Sequence, residues 1–188
     1  RFAYASGASV TGVLAARFTL AGLLLAALML ATKRPWPRGR PLAVAIGMGA
    51  IGYVGQAACF FGALNHASAG LVALLLYAYP TLVVLLSAVF LRERLTAMKG
   101  VLLAVSFAGL ALTLGGGHGT PTGILLGLAA AGFYSVYIVI GARELKETDA
   151  LASTTVICLS AATVMLLAGL AFGASLPGVA WGWAAVVA

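Results

Sequence analysis

The sequence predicts an all-α bundle of membrane-spanning helices. Of its 188 residues, 63% are hydrophobic and only 8% are charged, whereas soluble domains carry about a quarter charged residues. Six apolar runs are each long enough to cross the hydrocarbon core of a bilayer, which takes about 20 residues per helix. The short loops between them are alternately rich in and free of Lys and Arg. The runs lack the two-residue alternation of membrane β-strands, so a barrel is not expected.

The six complete spans follow one another closely along the chain. They are Val10–Ala31, Leu42–Leu64, Ala69–Leu91, Met98–Leu114, Thr122–Gly141 and Ala150–Phe172. A seventh apolar run begins near Gly178, and we expect it to be truncated at Ala188. Because the sequence starts with Arg1 rather than Met, we expect the chain to be a fragment cut at both ends. The short loops leave no room for a catalytic domain outside the membrane.

The basic residues predict the orientation of the bundle. Nine of the eleven Lys and Arg residues lie in three alternate loops, at Lys33, Arg34, Arg38, Arg40, Arg92, Arg94, Lys99, Arg143 and Lys146. The other connections, 65–68, 115–121 and 173–177, contain neither Lys nor Arg. Cytoplasmic loops carry an excess of these residues, so the basic loops are expected in the cytoplasm. Topology thus accounts for the net charge of +7, and no nucleic-acid partner is predicted.

Three segments resemble the EamA-like branch of the drug/metabolite transporter superfamily. Residues 62–96 combine a short outer turn of small residues, a helix with a proline near mid-membrane at Pro80, and an inner end that reads Glu-Arg-Leu-Thr. Residues 123–137 are similar to the opening helix of the family's second repeat, and residues 15–18 are similar to its second helix. The order and spacing of these segments extend the resemblance over nearly the whole chain.

The resemblance implies a ten-helix protein built from two five-helix repeats, the second inverted across the membrane. Residues 1–117 would form the first repeat without most of its first helix, and residues 118–188 would begin the second. It also implies export of metabolites, amino acids or drugs by alternating access around a site near the midplane. The expected partners are a small-molecule substrate and the lipid bilayer of the bacterial inner membrane, without a cofactor. A homodimer is left open.

Polar and aromatic side chains within the spans predict a substrate site. They recur at helical spacing, on faces that a bundle enclosing a cavity would turn inward. The predicted substrate-binding residues are Arg17, Gln56, Phe60, Tyr77, Thr81, Tyr134, Tyr137 and Ser160. A charge at the depth of Arg17 normally faces protein or water, where it can attract a carboxylate or phosphate; snorkelling to the surface is the alternative. For each of the other residues, ordinary packing between helices is the alternative.

Pro80 is predicted to interrupt its span and to act as a hinge. Proline lacks the N–H that would bond the carbonyl four residues earlier, and its ring clashes with that carbonyl. A static bend is the alternative interpretation. The tyrosines combine an aromatic face with a hydroxyl, which suits amphipathic solutes such as amino acids or aromatic amines.

Two other classes of protein compete with a transporter. An intramembrane enzyme needs a nucleophile with a base or a metal site, and the sequence contains neither an HExxH nor a GxSxG motif. Cys59 and Cys158 stand alone within apolar runs, which is typical of buried free thiols. We therefore predict no catalytic or metal-ligating residues. A sensor or a complex subunit that transports nothing stays the alternative function.

Overall fold

The computed structural model describes residues 10–90, 97–114 and 118–171. In these residues the chain is helical apart from short connections and one isolated bridge between Ala67 and Gly119. The helices are α1 (Val10–Ala31), α2 (Arg40–Gly47), a π-helical segment (Met48–Tyr53), α3 (Val54–Leu64), α4 (Ala69–Leu76), α5 (Tyr79–Phe90), α6 (Ala97–Leu114), α7 (Pro121–Glu144) and α8 (Ala150–Ala171). The predicted all-α class is therefore confirmed for the part of the chain that the structure describes.

Five helical stretches among the described residues are long and apolar enough to cross a membrane. They are Leu14–Ala31, Arg40–Leu64, Ala69–Phe90, Pro121–Glu144 and Ala150–Ala171. Each corresponds to a predicted span within a few residues at either end. The remaining complete run forms α6, which has 18 residues, and the run predicted from Gly178 lies outside the described residues. The chain is thus a multi-pass membrane protein.

Large aliphatic side chains are exposed on the outer surfaces of the helices, as a lipid environment allows. Large aliphatic residues such as Leu30 and Leu170 are 70% and 82% exposed. In water such a surface would favour aggregation, but in a bilayer it faces acyl chains that are equally apolar. Close helix packing in this environment depends on small residues rather than on hydrophobic burial.

The chain forms two compact units. Unit 1 consists of the described residues of Arg1–Val54 and Glu144–Ala188, and unit 2 of those of Gly55–Arg143. Neither unit coincides with a predicted repeat, and the division into repeats at residue 117 stays a prediction.

In unit 1, α1, α2 and the π-helical segment all pack against α8. Small residues make these approaches possible: Ala15 and Ala16 of α1 are buried, and Gly22 lies against the side chain of Leu159. Gly49 of the π-helical segment lies against Ser160 and the backbone of Ile157. Met29, which is 1% exposed, fills the space near the end of α1.

Two ion pairs join the connections at one end of unit 1. Arg34 pairs with Asp149, and Arg40 holds Glu144 with two parallel bonds, Nε to Oε2 at 2.8 Å and Nη2 to Oε1 at 2.9 Å. Bidentate pairing of this kind fixes geometry as well as charge. The loop 32–39 and residues 144–149 therefore lie at the same end, as the alternation of basic loops predicts.

Asp149 has a second role, because it caps α8. Its Oδ1 accepts a hydrogen bond from the Ala152 backbone N–H at 3.0 Å. This N–H and the Arg34 side chain hold the pKa of Asp149 below its usual range. A depressed carboxyl pKa contributes stability at pH values above the ordinary aspartate pKa of about 4, and that stability is lost as the pH falls through the folded-state pKa.

Asp149→Asn is therefore expected to lower the melting temperature by a few degrees at pH 7, because asparagine caps a helix about as well as aspartate but cannot pair with Arg34. Asp149→Ala should cost more, since it removes the cap as well. Thermal unfolding in detergent from pH 7 to pH 3 checks both, and the difference between wild type and Asp149→Asn should shrink as the pH falls below about 4. A difference that grows on acidification would contradict this role of the carboxylate.

At one end of unit 2, the turn 65–68 binds residues 118–120. The Thr120 N–H donates to the His66 carbonyl at 2.9 Å, and the Ser68 N–H donates to the His118 carbonyl at 2.8 Å. Gly119 and Gly123 allow the approach, because a Cβ on Gly123 would lie 2.9 Å from the His66 backbone. Residues 65–68 and 118–120, which belong to two of the three connections without Lys or Arg, thus lie at the same end of this unit. The alternation of basic and non-basic loops also predicts this.

Candidate functional site

Four tyrosines come together in unit 2, and we refer to Tyr77, Tyr79, Tyr134 and Tyr137 as the tyrosine cluster. The rings of Tyr79 and Tyr134 meet edge to face, with centroids 4.7 Å apart and planes at 71°. The Tyr77 and Tyr79 centroids are 6.4 Å apart, and those of Tyr134 and Tyr137 are 6.2 Å apart with nearly parallel planes. The structure therefore brings together three of the predicted site residues, Tyr77, Tyr134 and Tyr137.

The break in the span before Pro80 positions two of these rings. α4 ends at Leu76 and α5 begins at Tyr79, so Tyr77 and Ala78 form a turn between them. The Ala78 N–H bonds the Leu75 carbonyl at 3.1 Å, a tighter spacing than in an α-helix. Pro80 has no N–H to offer the Leu76 carbonyl. The span is thus interrupted where the sequence predicts, while motion about Pro80 stays a prediction.

Ser135 of α7 ties the start of α5 to the cluster. It is fully buried, and its Oγ lies 3.2 Å from the Tyr79 carbonyl oxygen and 2.6 Å from the Ala131 carbonyl oxygen. A serine hydroxyl has one proton, so these two acceptors share it. Gly127 allows α7 to approach α4, because a Cβ there would lie 2.8 Å from Leu75 Cδ1.

Sequence reasoning missed Tyr79 and Ser135. Tyr79 directly precedes the proline that interrupts the span, and Ser135 lies between predicted site residues on α7. Ser135 lies four residues after Ala131 and eight after Gly127, so helical spacing could have selected it, whereas Tyr79 is off the face that Tyr77 and Thr81 share. Because Tyr77 and Ala78 form a turn, α5 does not continue the helical rotation of α4. Tyr79 lies beside Tyr134 in this arrangement.

The other predicted residues of unit 2 occupy α3 and α5. Gln56 and Phe60 are half-buried on α3, and Phe60 packs edge to face on Phe61 with centroids 5.4 Å apart. Thr81 is exposed on α5. Binding of a solute by these three side chains stays a prediction.

Arg17 and Ser160 lie in unit 1. Arg17 is exposed on α1, next to Phe18, whose buried ring meets Tyr53 edge to face at 4.6 Å. The Ser160 hydroxyl donates to the Ile157 carbonyl of its own helix at 3.0 Å and lies against Gly49. These contacts give Ser160 a packing function, and a part for either residue in solute binding stays a prediction.

Unit 1 also contains an open groove of about 350 Å³. It is lined by Ile46, Ala50, Val156, Leu159, Ser160, Thr163 and Val164. Its two hydroxyls are engaged by their own helix, since Thr163 donates to the Leu159 carbonyl at 2.8 Å just as Ser160 donates to Ile157. The groove is therefore effectively apolar and lacks the polar groups that would orient a solute.

Among the described residues, no group of three or more His, Cys, Asp or Glu side chains is arranged to hold a metal ion. The tyrosine cluster instead offers aromatic edges and faces together with hydroxyls, beside an interrupted helix. Such a surface binds an apolar or aromatic group and hydrogen-bonds a polar one.

Several apolar helices of spanning length, one of them interrupted before Pro80, define the class of this protein as the polytopic helical membrane proteins. The sequence profile of the EamA-like transporter family matches residues 2–115. The chain belongs to this family, and the predicted membership is confirmed. No match was found among curated proteins.

A solved structure, described only as "Crystal structure of protein", resembles the chain closely. The TM-score is 0.80 at 30% sequence identity, and the alignment covers 96% of this chain. It covers 65% of the other chain, so this chain spans somewhat less than two thirds of the length of that protein.

Proposed function

We propose that the protein carries small organic solutes across the membrane by alternating access, and that the tyrosine cluster is part of its solute site. The single observation that carries this proposal is the meeting of four tyrosine rings at the interrupted span. For a member of the EamA-like transporter family, this cluster favours the transport of amphipathic solutes, which combine an aromatic or apolar body with a polar group.

The interrupted helix adds polarity without adding charge. A helix break within a membrane is tolerated where the freed backbone groups face protein or a water-filled cavity. The Leu76 carbonyl, which receives no N–H from Pro80, belongs to the residue directly before Tyr77 and three residues before Tyr79. A hydroxyl or ammonium group of a solute can bond such a carbonyl while its apolar part lies on the rings.

The wider architecture belongs to the same proposal. Ten helices in two inverted repeats would place the site near the midplane, where inverted-repeat carriers bind their substrates. By the positive-inside rule, the basic loops would face the bacterial cytoplasm, and export of metabolites, amino acids or drugs is the proposed direction. The protein is not expected to act as an enzyme.

Ligand-induced stabilisation tests the proposed solute class. The purified chain in detergent is heated with a panel of aromatic amines, aromatic amino acids and aliphatic solutes of matched charge. A solute at a hundred times its Kd stabilises the folded state by about 2.7 kcal/mol, so aromatic members should raise the melting temperature and aliphatic ones should not. Equal shifts for both groups would contradict selection by the tyrosine cluster.

Pro80→Ala is expected to slow transport severalfold while leaving the melting temperature unchanged or higher. Alanine restores the N–H for the Leu76 carbonyl and removes the ring, so α4 and α5 can join into one continuous helix. Because Pro80 lies in the first turn of α5, where proline is tolerated, the gain in stability is smaller than the about 3 kcal/mol that separates proline from alanine in a helix interior. Transport rate and melting temperature are measured on the same preparation. A variant that transports at the wild-type rate would show that the break is static and is not a hinge.

A further inference from the structure

The connection between α1 and α2 carries the densest positive charge in unit 1. We call residues 32–39 the strap; it contains Lys33, Arg34 and Arg38, and Arg40 follows directly at the start of α2. Two prolines, Pro35 and Pro37, restrict its backbone. The strap is thus a stiff basic segment next to the end of a membrane-spanning helix.

Ion pairing divides these basic residues into two groups. Arg34 and Arg40 are neutralised within unit 1 by Asp149 and Glu144. Among the described residues, neither Lys33 nor Arg38 has an acidic partner, and both side chains are exposed. The pairs therefore fix the strap in place and leave two positive charges directed outward.

Lys33 has a left-handed backbone conformation, which is uncommon for a residue other than glycine. The Arg34 N–H bonds the Met29 carbonyl at 3.1 Å, and the Lys33 N–H bonds the Leu30 carbonyl at 3.2 Å. This is the Schellman arrangement that ends many helices, and glycine is its usual residue at the left-handed position. Lys33 occupies that position with φ of 52°, although glycine would adopt it with less strain. Lysine at this position therefore costs some local conformational energy relative to glycine.

Trp36 sets the depth of the strap relative to the membrane. Its side chain is 42% exposed, while the neighbouring Pro37 is buried against unit 1. Exposed indoles next to transmembrane helices lie at the level of the lipid headgroups. Lys33 and Arg38, three and two residues away, are then at the level of the lipid phosphates.

We propose that the strap is a binding site for anionic phospholipid headgroups, with Lys33 and Arg38 on the headgroup phosphate and Trp36 in the interface. Basic clusters beside a membrane helix attract anionic lipids. Here Arg34 and Arg40 form ion pairs with carboxylates of unit 1, which hold Lys33 and Arg38 in a fixed arrangement. The site is separate from solute transport and goes beyond the orienting effect of basic loops.

Native mass spectrometry of the full chain in detergent, titrated with dioleoyl phosphatidylglycerol or dioleoyl phosphatidylcholine, tests this site. Wild type should bind phosphatidylglycerol preferentially. The double variant Lys33→Asn/Arg38→Gln should bind it about 25-fold more weakly, about fivefold for each charge; asparagine is chosen because it tolerates the left-handed conformation. Lys146→Gln, in the other loop of unit 1 beside Glu147, is the matched control and should retain wild-type binding.

Three outcomes with the double variant, its control and free phosphate would overturn the proposal. They are unchanged phosphatidylglycerol binding in the double variant, an equal loss in Lys146→Gln, and displacement of the lipid by millimolar inorganic phosphate, which would identify a site for free phosphate instead. Lys33→Gly separates binding from folding, because it removes the charge and relieves the backbone. It should melt at a higher temperature than wild type and still bind phosphatidylglycerol about fivefold more weakly; full binding by this variant would also refute the site.

Discussion

Gly49→Ala is expected to destabilise unit 1 by about 3 kcal/mol, at the upper end of the usual cost of overpacking. A Cβ on Gly49 would overlap Ser160 Oγ and the Ile157 carbonyl oxygen of α8. Ser160 can change its rotamer, but the Ile157 carbonyl is part of the helical backbone and cannot move alone. Relief therefore requires α8 to move away from the π-helical segment.

Gly47→Ala provides a matched control for this prediction. Gly47 lies two residues earlier in the same span, and a Cβ there would meet nothing within 4 Å. Because alanine is favoured over glycine in a helix by about 1 kcal/mol, this variant should melt at or above the wild-type temperature. Thermal unfolding in detergent compares the two, and equal melting temperatures for both variants would show that the approach of Gly49 to α8 is not tight.

Tyr79→Leu and Tyr134→Leu should each reduce transport of an aromatic solute by about tenfold, the effect of losing roughly 1.4 kcal/mol of aromatic contact. Both variants remove one partner of the edge-to-face pair with centroids 4.7 Å apart. Tyr79→Phe and Tyr134→Phe keep the rings, so they should preserve most of the rate if aromatic contact dominates.

Melting temperatures separate loss of binding from loss of folding in these variants. Tyr53→Leu is a further control, because it also removes an aromatic pair, the one with Phe18, but in unit 1 and outside the cluster. It should affect stability without selective loss of aromatic solutes. Wild-type transport by a folded Tyr134→Leu variant would remove the cluster from the solute site.

The boundaries of the spans could be predicted from the sequence because the bilayer imposes them. Each span must present about 20 apolar residues, and charged or turn-forming residues mark its ends. α1, predicted at Val10–Ala31, has those bounds in the structure, and α8 occupies Ala150–Ala171 of its predicted run, whose last residue lies outside the described residues. The interruption before Pro80 was likewise predictable, since it follows from the chemistry of a single residue.

Features set by contacts between distant segments could not be predicted. The π-helical segment Met48–Tyr53 has no local sequence signature; it occurs where Gly49 packs against α8, more than a hundred residues later. Tyr79 joins the cluster through Tyr134 and Ser135 of α7. The ion partners of Arg34 and Arg40 also lie on a distant loop, so the sequence showed only that the loops share a side.

Efflux from proteoliposomes that contain the full-length protein, with all ten expected helices, is the most direct test of the proposed function. Vesicles are loaded with a mixed panel of metabolites, amino acids and aromatic amines. The solutes that remain inside are measured over time and compared with those in loaded vesicles that contain no protein. We predict saturable loss of aromatic, amphipathic members, slowed in the Tyr79→Leu/Tyr134→Leu double variant. Retention of every solute under all imposed gradients would contradict transport and would instead favour a sensor or subunit of a membrane complex.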